Sequence, residues 1–366
     1  AASDVYTRQF VMQMTNYPLL KSILKMKKSL MTLGVLALFV LMAYGQEKKF
    51  ALYSVAFYNM ENLFDTIHDE GKNDYEYLPN GTNQWNTMKY KAKLKNMSEI
   101  LSLLSTDKLP MGPAIIGVSE IENYRVLEDI LKQPALADRG YQYVHYEGAD
   151  QRGVDCAFFY NPKLFELTNS KLVPYVYIND TVHKTRGFLI ASGNIAGEKM
   201  HFIVNHWPSR AAASPARERA GEQVRAIKDS LLREDSAAKI VIMGDMNDDP
   251  MDKSMAVALG AKRKPADVGP TDLYNPWWDT LKKGYGTLMY KGKWNLFDQI
   301  VFTGNLLGTD RSTLKFYKHE IFRRDFMFQK EGKYKGYPKR TQAGGVWLNG
   351  YSDHLPTIIY LIKEVK

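Results

Sequence analysis

Cysteine is almost absent from this chain, which has a single one, Cys156, among 366 residues. A disulfide within the chain is therefore excluded, and a lone cysteine inside the apolar stretch 154–160 is typical of a small core residue. Stability must come instead from the hydrophobic core. A chain of this length with 45% hydrophobic residues can bury a large one.

Linkers and long hydrophobic runs are scarce too. No stretch rich in Pro, Ser or Gly divides residues 46–366, which predicts a single domain there. The apolar run from Leu30 to Ala43 is too short to span a bilayer. Residues 26–45 have a basic start at Met26 followed by this apolar run, a pattern that is typical of a cleaved secretory signal peptide. We expect residues 1–25 to be an upstream mis-start and the protein to be secreted or periplasmic in a bacterial-type cell.

The excess of positive charge is small once that segment is set aside. The formal net charge is +9, but residues 1–45 hold five Lys or Arg and one Asp, which leaves +5 for the rest. Such a balance is compatible with a polyanionic substrate without requiring one.

What the chain does contain is apolar strands that end in polar clusters. The most informative is 239–250, where apolar residues lead into a Gly-Asp-x-Asn sequence with Asp245 and Asn247. Residues two apart on an extended backbone have side chains that face the same way. The carboxylate of Asp245 can then bind a water or a metal, while the amide of Asn247 donates to an anion. The alternative is a plain strand-to-turn exit, because Asp, Asn and Pro are also turn residues.

Similar clusters occur along the whole chain. They contain Asn59 and Glu61, Glu120, Arg152 and Asp155, His206, Asp298, and Asp353 with His354. An amphipathic helix is predicted from about Met88 to Leu104, with Lys89, Lys91, Lys93 and Lys95 away from its apolar face. Strands alternate with helices and include antiparallel pairs, which predicts an α/β fold with mixed sheets.

In this order the clusters resemble the endonuclease/exonuclease/phosphatase superfamily of metal-dependent phosphoesterases. The most specific matches are Gly-Asp245-Met-Asn247 and Ser-Asp353-His354-Leu-Pro, and the resemblance extends from Ala51 to Ile362. It implies a deoxyribonuclease-like four-layer sandwich of two mixed β-sheets with helices outside. The stretch Asn-His-Trp-Pro-Ser-Arg at 205–210 is similar to the secreted bacterial nuclease-like branch.

The resemblance also implies roles for individual residues. The implied metal ligands are Asn59, Glu120 and Asp353, for Mg²⁺ or Mn²⁺ with Ca²⁺ as an assisting ion. The implied catalytic residues are His206, Asp245, Asn247, Asp298 and His354. Asp298 would orient His354, Asp155 would partner His206, and either His354 or Asp245 would be the base. The alternatives are structural roles: Glu120 could be an acidic residue at a helix N-terminus, and His206 could be a loop histidine packed on Trp207.

Nucleic acid is the expected substrate, cleaved by endonuclease activity. Arg152, Arg210 and Arg217 are candidate phosphate contacts, although each could be a solvated charge. The segment 323–340 holds seven Lys or Arg among four aromatic residues, which could grip nucleic acid or could be a solvated face.

Other functions stay open. Arg152-Gly153 stands where abasic-site endonucleases carry a tyrosine, which disfavours that specificity. The sequence before Asp298 differs from that of inositol phosphatases. A phospholipid phosphodiesterase would use exposed apolar side chains, for which Tyr274, Trp277 and Trp278 are candidates. A phosphatase and an inactive surface binding protein are the remaining alternatives, and no stable protein partner is inferred.

Overall fold

The computed structural model describes residues 21–23, 25–32, 48–178, 180 and 182–365. It divides the chain into two compact units, Ala1–Lys49 with Val365–Lys366, and Phe50–Glu364. In the first unit, residues 21–23 and 25–32 are helical. Most of the predicted signal peptide and of the predicted mis-start lies outside the described residues. Among the described helices, none is long and apolar enough to cross a membrane.

The strands are numbered here in chain order. Their bounds are β1 Lys49–Leu63, β2 Ile115–Ile121, β3 Gln142–His145, β4 Asp155–Tyr160, β5 Glu166–Val173, β6 Phe188–Ile195, β7 Glu198–His206, β8 Lys239–Asp245, β9 Ala261–Lys262, β10 Leu273–Tyr274, β11 Leu288–Tyr290, β12 Lys293–Asn295, β13 Asp298–Thr303, β14 Lys315–Ile321, β15 Gln342–Ala343, β16 Val346–Trp347 and β17 Thr357–Val365.

Helices connect several of these strands. The α-helices are α1 Thr87–Leu103, α2 Tyr124–Leu131, α3 Ser214–Glu234 and α4 Trp278–Lys282. Short 3-10 segments are Tyr75–Tyr77, Ala137–Arg139, Pro265–Asp267, Gly304–Leu306 and Asp325–Met327, and Ser254–Leu259 is a π-helical turn. The start of α1 is fixed by Asn86, whose side chain accepts from Lys89 N, and that of α2 by Asn123, whose side chain accepts from Arg125 N and Val126 N.

Two larger sheets form the frame of the domain. The first has the order β14-β17-β1-β2-β4-β3 and the second β5-β6-β7-β8-β13-β10-β9. In the first, β1 and β2 are parallel, whereas β2 and β4 are antiparallel. In the second, β7 and β8 are parallel, whereas β8 and β13 are antiparallel. Both sheets are therefore mixed, as predicted.

Apolar side chains fill the space between the sheets and cover their outer faces. Phe158 of the first sheet meets Phe202 of the second, with ring centroids 5.8 Å apart. Residues of α1 and α2 pack on the outer face of the first sheet, and residues of α3 on that of the second. The arrangement confirms the predicted sandwich of two mixed sheets with helices outside.

Two side chains are not where the sequence pattern put them. Lys93 is completely buried instead of lying on the polar face of α1. Trp277, considered for membrane contact, is also completely buried, and its indole N–H donates to Ile300 O at 2.9 Å. In both cases the surroundings supply hydrogen-bond acceptors, which makes burial of a polar group tolerable.

Candidate active site

The strand registers bring several of the predicted site residues to one edge of the sandwich. His206 at the end of β7 is paired with Asp245 at the end of β8. Asp298, the first residue of β13, is paired with Asp245 from the other side, because β13 runs antiparallel to β8. In the facing sheet, β1 carries Asn59 and β2 carries Glu120. The strands are apolar up to this edge, so the polar clusters meet where the core ends.

Asp245 lies at the centre of this group. Its Oδ2 accepts a hydrogen bond from Asn59 Nδ2 at 3.1 Å. The same oxygen is 3.7 Å from His206 Nε2 and 3.8 Å from His354 Nε2. Asn59 Nδ2 also donates to Glu120 Oε1 at 3.2 Å, and this oxygen is 3.7 Å from His206 Nε2. Three side chains, those of Asn59, His206 and His354, thus converge on the carboxylate pair of Asp245 and Glu120.

The histidine His354 is held by a buried carboxylate. Its Nδ1 is 2.7 Å from Asp298 Oδ2, and Asp298 is completely buried. Burial alone would lower the pKa of His354, but the carboxylates of Asp298 and Asp245 together raise it well above its usual value. Burial, together with the charge of Asp298, raises the pKa of Asp245 to about 7. The ionisable side chains of His354 and Asp245 therefore face each other, with His354 Nε2 3.8 Å from Asp245 Oδ2.

His206 differs from His354 in its electrostatic surroundings. Burial, and then the positive charges of Arg186 and Arg152, lower the pKa of His206 well below its usual value. Arg186 is buried, donates to Trp207 O at 2.9 Å and pairs with Asp150. Sequence analysis overlooked Arg186, because it lies in a polar stretch without a motif.

The side chain of Asp155 has a partner other than the one that the resemblance implies. Its Oδ2 is 3.2 Å from His145 Nε2 and accepts from Gly148 N at 3.1 Å. Both His145 and Asp155 side chains are almost inaccessible. The structure therefore couples Asp155 to His145, a histidine that the sequence analysis left without a role, and the partnership with His206 stays a prediction.

The arginines predicted to contact phosphate already have acidic partners. Arg217 Nε is 2.9 Å from Asp248 Oδ1, and its Nη1 donates to two backbone carbonyls. Arg210 pairs with Asp252 at 2.8 Å and lies over the ring of Phe297, with its guanidinium carbon 4.5 Å from the centroid. Arg152 is about half exposed and 3.5 Å from Asp150. A phosphate-binding role for the three stays a prediction.

Asn247 follows the same edge. It has a positive φ of 52°, its N–H donates to Asp245 Oδ1 at 2.9 Å, and its Nδ2 donates to Trp207 O at 3.0 Å. Glu120 also has a positive φ, 57°. Backbone in this region is strained for residues other than glycine, and such strain is concentrated at functional sites.

The second half of the site is a network around Glu61. Arg340 Nε donates to Glu61 Oε1 at 2.8 Å, and Arg340 Nη2 is 2.9 Å from Asp353 Oδ2. Lys93 Nζ is 4.0 Å from Glu61 Oε2. Burial raises the pKa of Glu61 to about 7 and lowers that of Lys93 to about 8. Sequence analysis included Glu61 and Asp353 in its clusters, but it placed Lys93 on the polar face of the helix and did not predict the pairing of Arg340.

The donor set fits a divalent cation on the Glu120 side. Ligand atoms of Glu120, His206 and Asp245 all lie within 4.8 Å of one another, and so do those of Asp245, Asp298 and His354. Carboxylate oxygens are the ligands that Mg²⁺ and Mn²⁺ prefer. Asn59 would join them only with its amide turned, because its Oδ1 accepts from Glu61 N at 2.8 Å. Asp353 is engaged by Arg340, so its role as a ligand stays a prediction.

A cleft with a volume of about 1130 Å³ opens beside this edge. Asn62, Arg340 and Asp353 contribute to its lining, together with residues 288–291 and parts of the segment 329–348. Among the described residues, its charged lining consists of Glu61, Glu76, Glu331, Asp353, Lys291, Lys333 and Arg340. The cleft is large enough for a drug-sized ligand and nearly balanced in charge.

The sequence profile described as "Endonuclease/Exonuclease/phosphatase family" matches residues 54–363. The sequence matches none of the curated proteins with which it was compared.

Solved structures with the same fold come from bacteria and animals. An endonuclease/exonuclease/phosphatase family protein of Bacteroides thetaiotaomicron superposes with a TM-score of 0.54 at 15% identity, covering 87% of this chain and 98% of that one. A mannosyl-6-phosphatase of the same organism has a TM-score of 0.52 at 14% identity, covering 84% and 99%. D. rerio TDP2, complexed with a single-strand DNA product, has a TM-score of 0.50 at 15% identity, covering 85% and 99%. At these identities the likeness shows the fold.

Proposed function

Because the chain belongs to the endonuclease/exonuclease/phosphatase family, we propose that it is a divalent-metal-dependent phosphodiesterase that cleaves nucleic acid as an endonuclease. Members of this family are phosphoester hydrolases. The observation that carries the proposal is the convergence of Asn59, His206 and His354 on the Oδ2 atom of Asp245, with Glu120 beside them. In-line phosphoester cleavage needs a base for water, donors for the phosphate charge and a place for a cation.

The electrostatics divide the roles between His354 and Asp245. With its pKa well above the usual value, His354 is an imidazolium that donates to a phosphate oxygen through Nε2. Asp245, whose pKa of about 7 lies near neutrality, is the group that accepts the proton of the attacking water. Asp298 holds the ring of His354 through Nδ1. Of the two candidate bases, this arrangement favours Asp245.

Glu120, with Asp245 and His206 nearby, would hold the cation. Mg²⁺ or Mn²⁺, with Ca²⁺ as an assisting ion, would supply Lewis-acid polarisation of the phosphate. Asn59 spans Glu120 and Asp245 and keeps the two carboxylates together. These two N–H contacts partly compensate the repulsion between the two neighbouring carboxyl groups.

Two observations support nucleic acid as the substrate. A protein of the same fold, TDP2, is complexed with single-strand DNA. In the basic segment, Arg323 lies over the rings of Trp294 and Phe328 at 4.8 and 4.9 Å, while Lys333 and Lys335 are exposed. Exposed cations next to aromatic side chains suit a sugar–phosphate backbone and its bases.

A phosphomonoesterase is the second candidate. The near balance of acidic and basic residues in the cleft favours a compact ester over a long polyanion. A mannosyl-6-phosphatase shares the fold. For a phospholipid, by contrast, the burial of Trp277 removes one of the apolar side chains that would contact a membrane.

The test compares substrates and site variants. We expect the purified protein to nick plasmid DNA with Mg²⁺ and to lose this activity in EDTA and in the Glu120→Ala and His354→Ala variants. Circular dichroism should show that these variants keep the fold. RNA, sphingomyelin and a sugar phosphate are incubated in parallel. Hydrolysis of the sugar phosphate alone would replace the nuclease with the phosphatase, and inactivity on all substrates would favour a binding protein.

We also propose that the protein is exported after cleavage of residues 26–45. The support is the sequence pattern of that segment, a basic start followed by an apolar run. Expression in a bacterial host, followed by fractionation and N-terminal sequencing, tests this. We expect a periplasmic or secreted product that begins near Gln46, whereas an unprocessed cytoplasmic product would contradict export.

A further inference from the structure

The segment 340–341 is anchored at the catalytic edge by a buried carboxylate. Glu61 is almost inaccessible, and both its oxygens are occupied, Oε1 by Arg340 Nε at 2.8 Å and Oε2 by Thr341 N at 2.7 Å. Glu61 stands in a site cluster next to Asn59, yet each of its oxygens accepts a hydrogen bond from the segment 340–341. Its contacts are those of an anchor for the segment that carries Arg340.

Lys93 also holds the segment 340–341 in place, through Thr341. Its side chain has no solvent exposure, and its Nζ donates to Thr341 Oγ1 at 2.5 Å and to Tyr351 O at 2.6 Å. A fully buried ammonium is costly unless it is paired and hydrogen-bonded. A network of ion pairs with alternating charge holds together residues that are far apart in the sequence, in the order Lys93, Glu61, Arg340 and Asp353.

Arg340 is the one positively charged member of this network that lines the cleft. Its side chain is 43% exposed and its guanidinium is ion-paired at Nε and Nη2. Within the described residues, Nη1 has no hydrogen-bond partner. A guanidinium has five N–H donors in a planar fork that matches phosphate oxygens. Arg217, in contrast, is buried and its guanidinium contacts Asp248 and two carbonyls.

We propose that Arg340 binds an anionic phosphate oxygen of the substrate at the cleft, and that Glu61 and Lys93 are positioning residues for it. The ligand class is a phosphate ester whose organic part lies in the cleft, and a nucleoside monophosphate is its smallest nucleic-acid form. The inference rests on the proposed phosphoesterase function and names the group that recognises the substrate. Asp353 keeps the guanidinium oriented toward this edge at 2.9 Å.

The first experiment measures binding, so that it does not depend on turnover. Titration calorimetry with a nucleoside monophosphate compares the full-length wild type with Arg340→Gln, Arg340→Lys and the control Lys95→Met. Lys95 is exposed on the same helix as Lys93. Loss of a charge-assisted hydrogen bond should weaken binding about ten- to one-hundredfold in Arg340→Gln. Lysine should restore part of the loss, because it keeps the charge without the fork.

The positioning role is tested by a double-mutant cycle. Lys93→Met and Glu61→Gln should weaken nucleotide binding in the same direction as Arg340→Gln. Adding either change to Arg340→Gln should have little further effect, because both act through the same guanidinium. Full additivity of the losses would overturn the positioning role. If Lys93→Met does not fold, as judged by circular dichroism, Glu61→Gln carries the test.

Kinetics separate failure of this inference from failure of the proposed function. With a short oligonucleotide, Arg340→Gln should raise KM more than it lowers kcat, which a purely structural role would not do. An active wild type with an unchanged KM and Kd in Arg340→Gln would refute the inference and leave the function standing. Nucleotide binding that depends on Arg340, in a protein that hydrolyses no substrate, would refute the proposed function and leave the inference standing. A wild type that does not bind the nucleotide would overturn the inference.

Discussion

Different roles are proposed for Asp298 and His354, and a substitution of Asp298 tests them. Asp298 holds Nδ1 of His354 at 2.7 Å and supplies the negative charge that stabilises the imidazolium. The change Asp298→Asn keeps the size of the side chain but removes that charge. We expect kcat to fall about a hundredfold or more, with a smaller effect on KM, because the ring loses both its charge and its orientation. Steady-state kinetics on an oligonucleotide measure this.

The control for Asp298→Asn is Asp279→Asn. Asp279 is a carboxylate with 61% of its side chain exposed, paired with Arg263 on the surface. This variant should keep the wild-type kcat. If Asp298→Asn also retained it, with both proteins folded by circular dichroism, His354 would function without its carboxylate and the division of roles would be wrong.

Cys156 lends itself to a prediction about reactivity. It lies in β4 with 5% of its surface exposed, and burial raises the pKa of its thiol well above its usual value. A thiol reagent attacks the thiolate, which is then rare and inaccessible. We expect no labelling of the native protein at pH 8 and complete labelling in denaturant, read by absorbance or mass. Fast labelling without denaturant would show that β4 opens readily.

At the scale of elements, the pairing of β7 with β8 determines where His206 and Asp245 meet. Gly244 lies opposite Asn205 in this register, and an added Cβ would collide with the Asn205 carbonyl oxygen, a backbone atom. Gly244→Ala should therefore force β7 and β8 apart. We expect a loss of about 2–4 kcal/mol in the free energy of unfolding, together with a loss of activity. Urea unfolding and plasmid nicking measure the two effects.

A matched glycine tests the reason for that loss. In Gly117→Ala, the new Cβ would lie 2.6 Å from Met243 Sδ, a flexible side chain in the core between the sheets. Methionine can shift, so this variant should lose less stability than Gly244→Ala and keep more activity. If the order were reversed, the space between the sheets, and not the β7–β8 pairing, would be the more sensitive element.

Local patterns explain why the strands were predictable. Apolar runs such as 115–118 and 240–243 are buried from both sides, and a run of that kind identifies a central strand from neighbouring residues alone. The polar residues at the strand ends could be found in the same way, and the strand registers then bring His206, Asp245 and Asp298 together.

Long-range partners explain what could not be predicted. Glu61 and Arg340 are 279 residues apart, and no local pattern connects them. Lys93 stands among other lysines of α1 and has the sequence pattern of a solvated face, although its partners Thr341 and Tyr351 bury it. Asp155 contacts His145 on the adjacent strand β3, a contact that the sequence pattern did not predict. Each of these contacts depends on tertiary packing, and that packing overrides the local helical or turn pattern.

At the scale of the whole molecule, stability rests on packing and on how buried ionisable groups respond to pH. His319 in β14 packs against Trp277, with ring centroids 4.8 Å apart, and its Nε2 is 2.9 Å from Thr280 Oγ1. Burial, and then the charge of Lys283, lower the pKa of His319 to about 4. The unfolded chain, in which a histidine has a pKa of about 6.5, therefore binds more protons than the folded one below neutrality.

Stability should consequently fall as the pH is lowered from about 6.5 to about 4, with His319 contributing about 2 kcal/mol after allowance for its partial exposure. His319→Gln keeps a polar group near Thr280 but cannot take up the proton. We expect the variant to lose less unfolding free energy than wild type between pH 7 and pH 4.5, as measured by urea unfolding. His183→Gln, which changes a side chain with 76% exposure, is the control and should follow wild type. Parallel pH curves for wild type and His319→Gln would show that His319 is protonated in the folded protein as readily as in the unfolded chain.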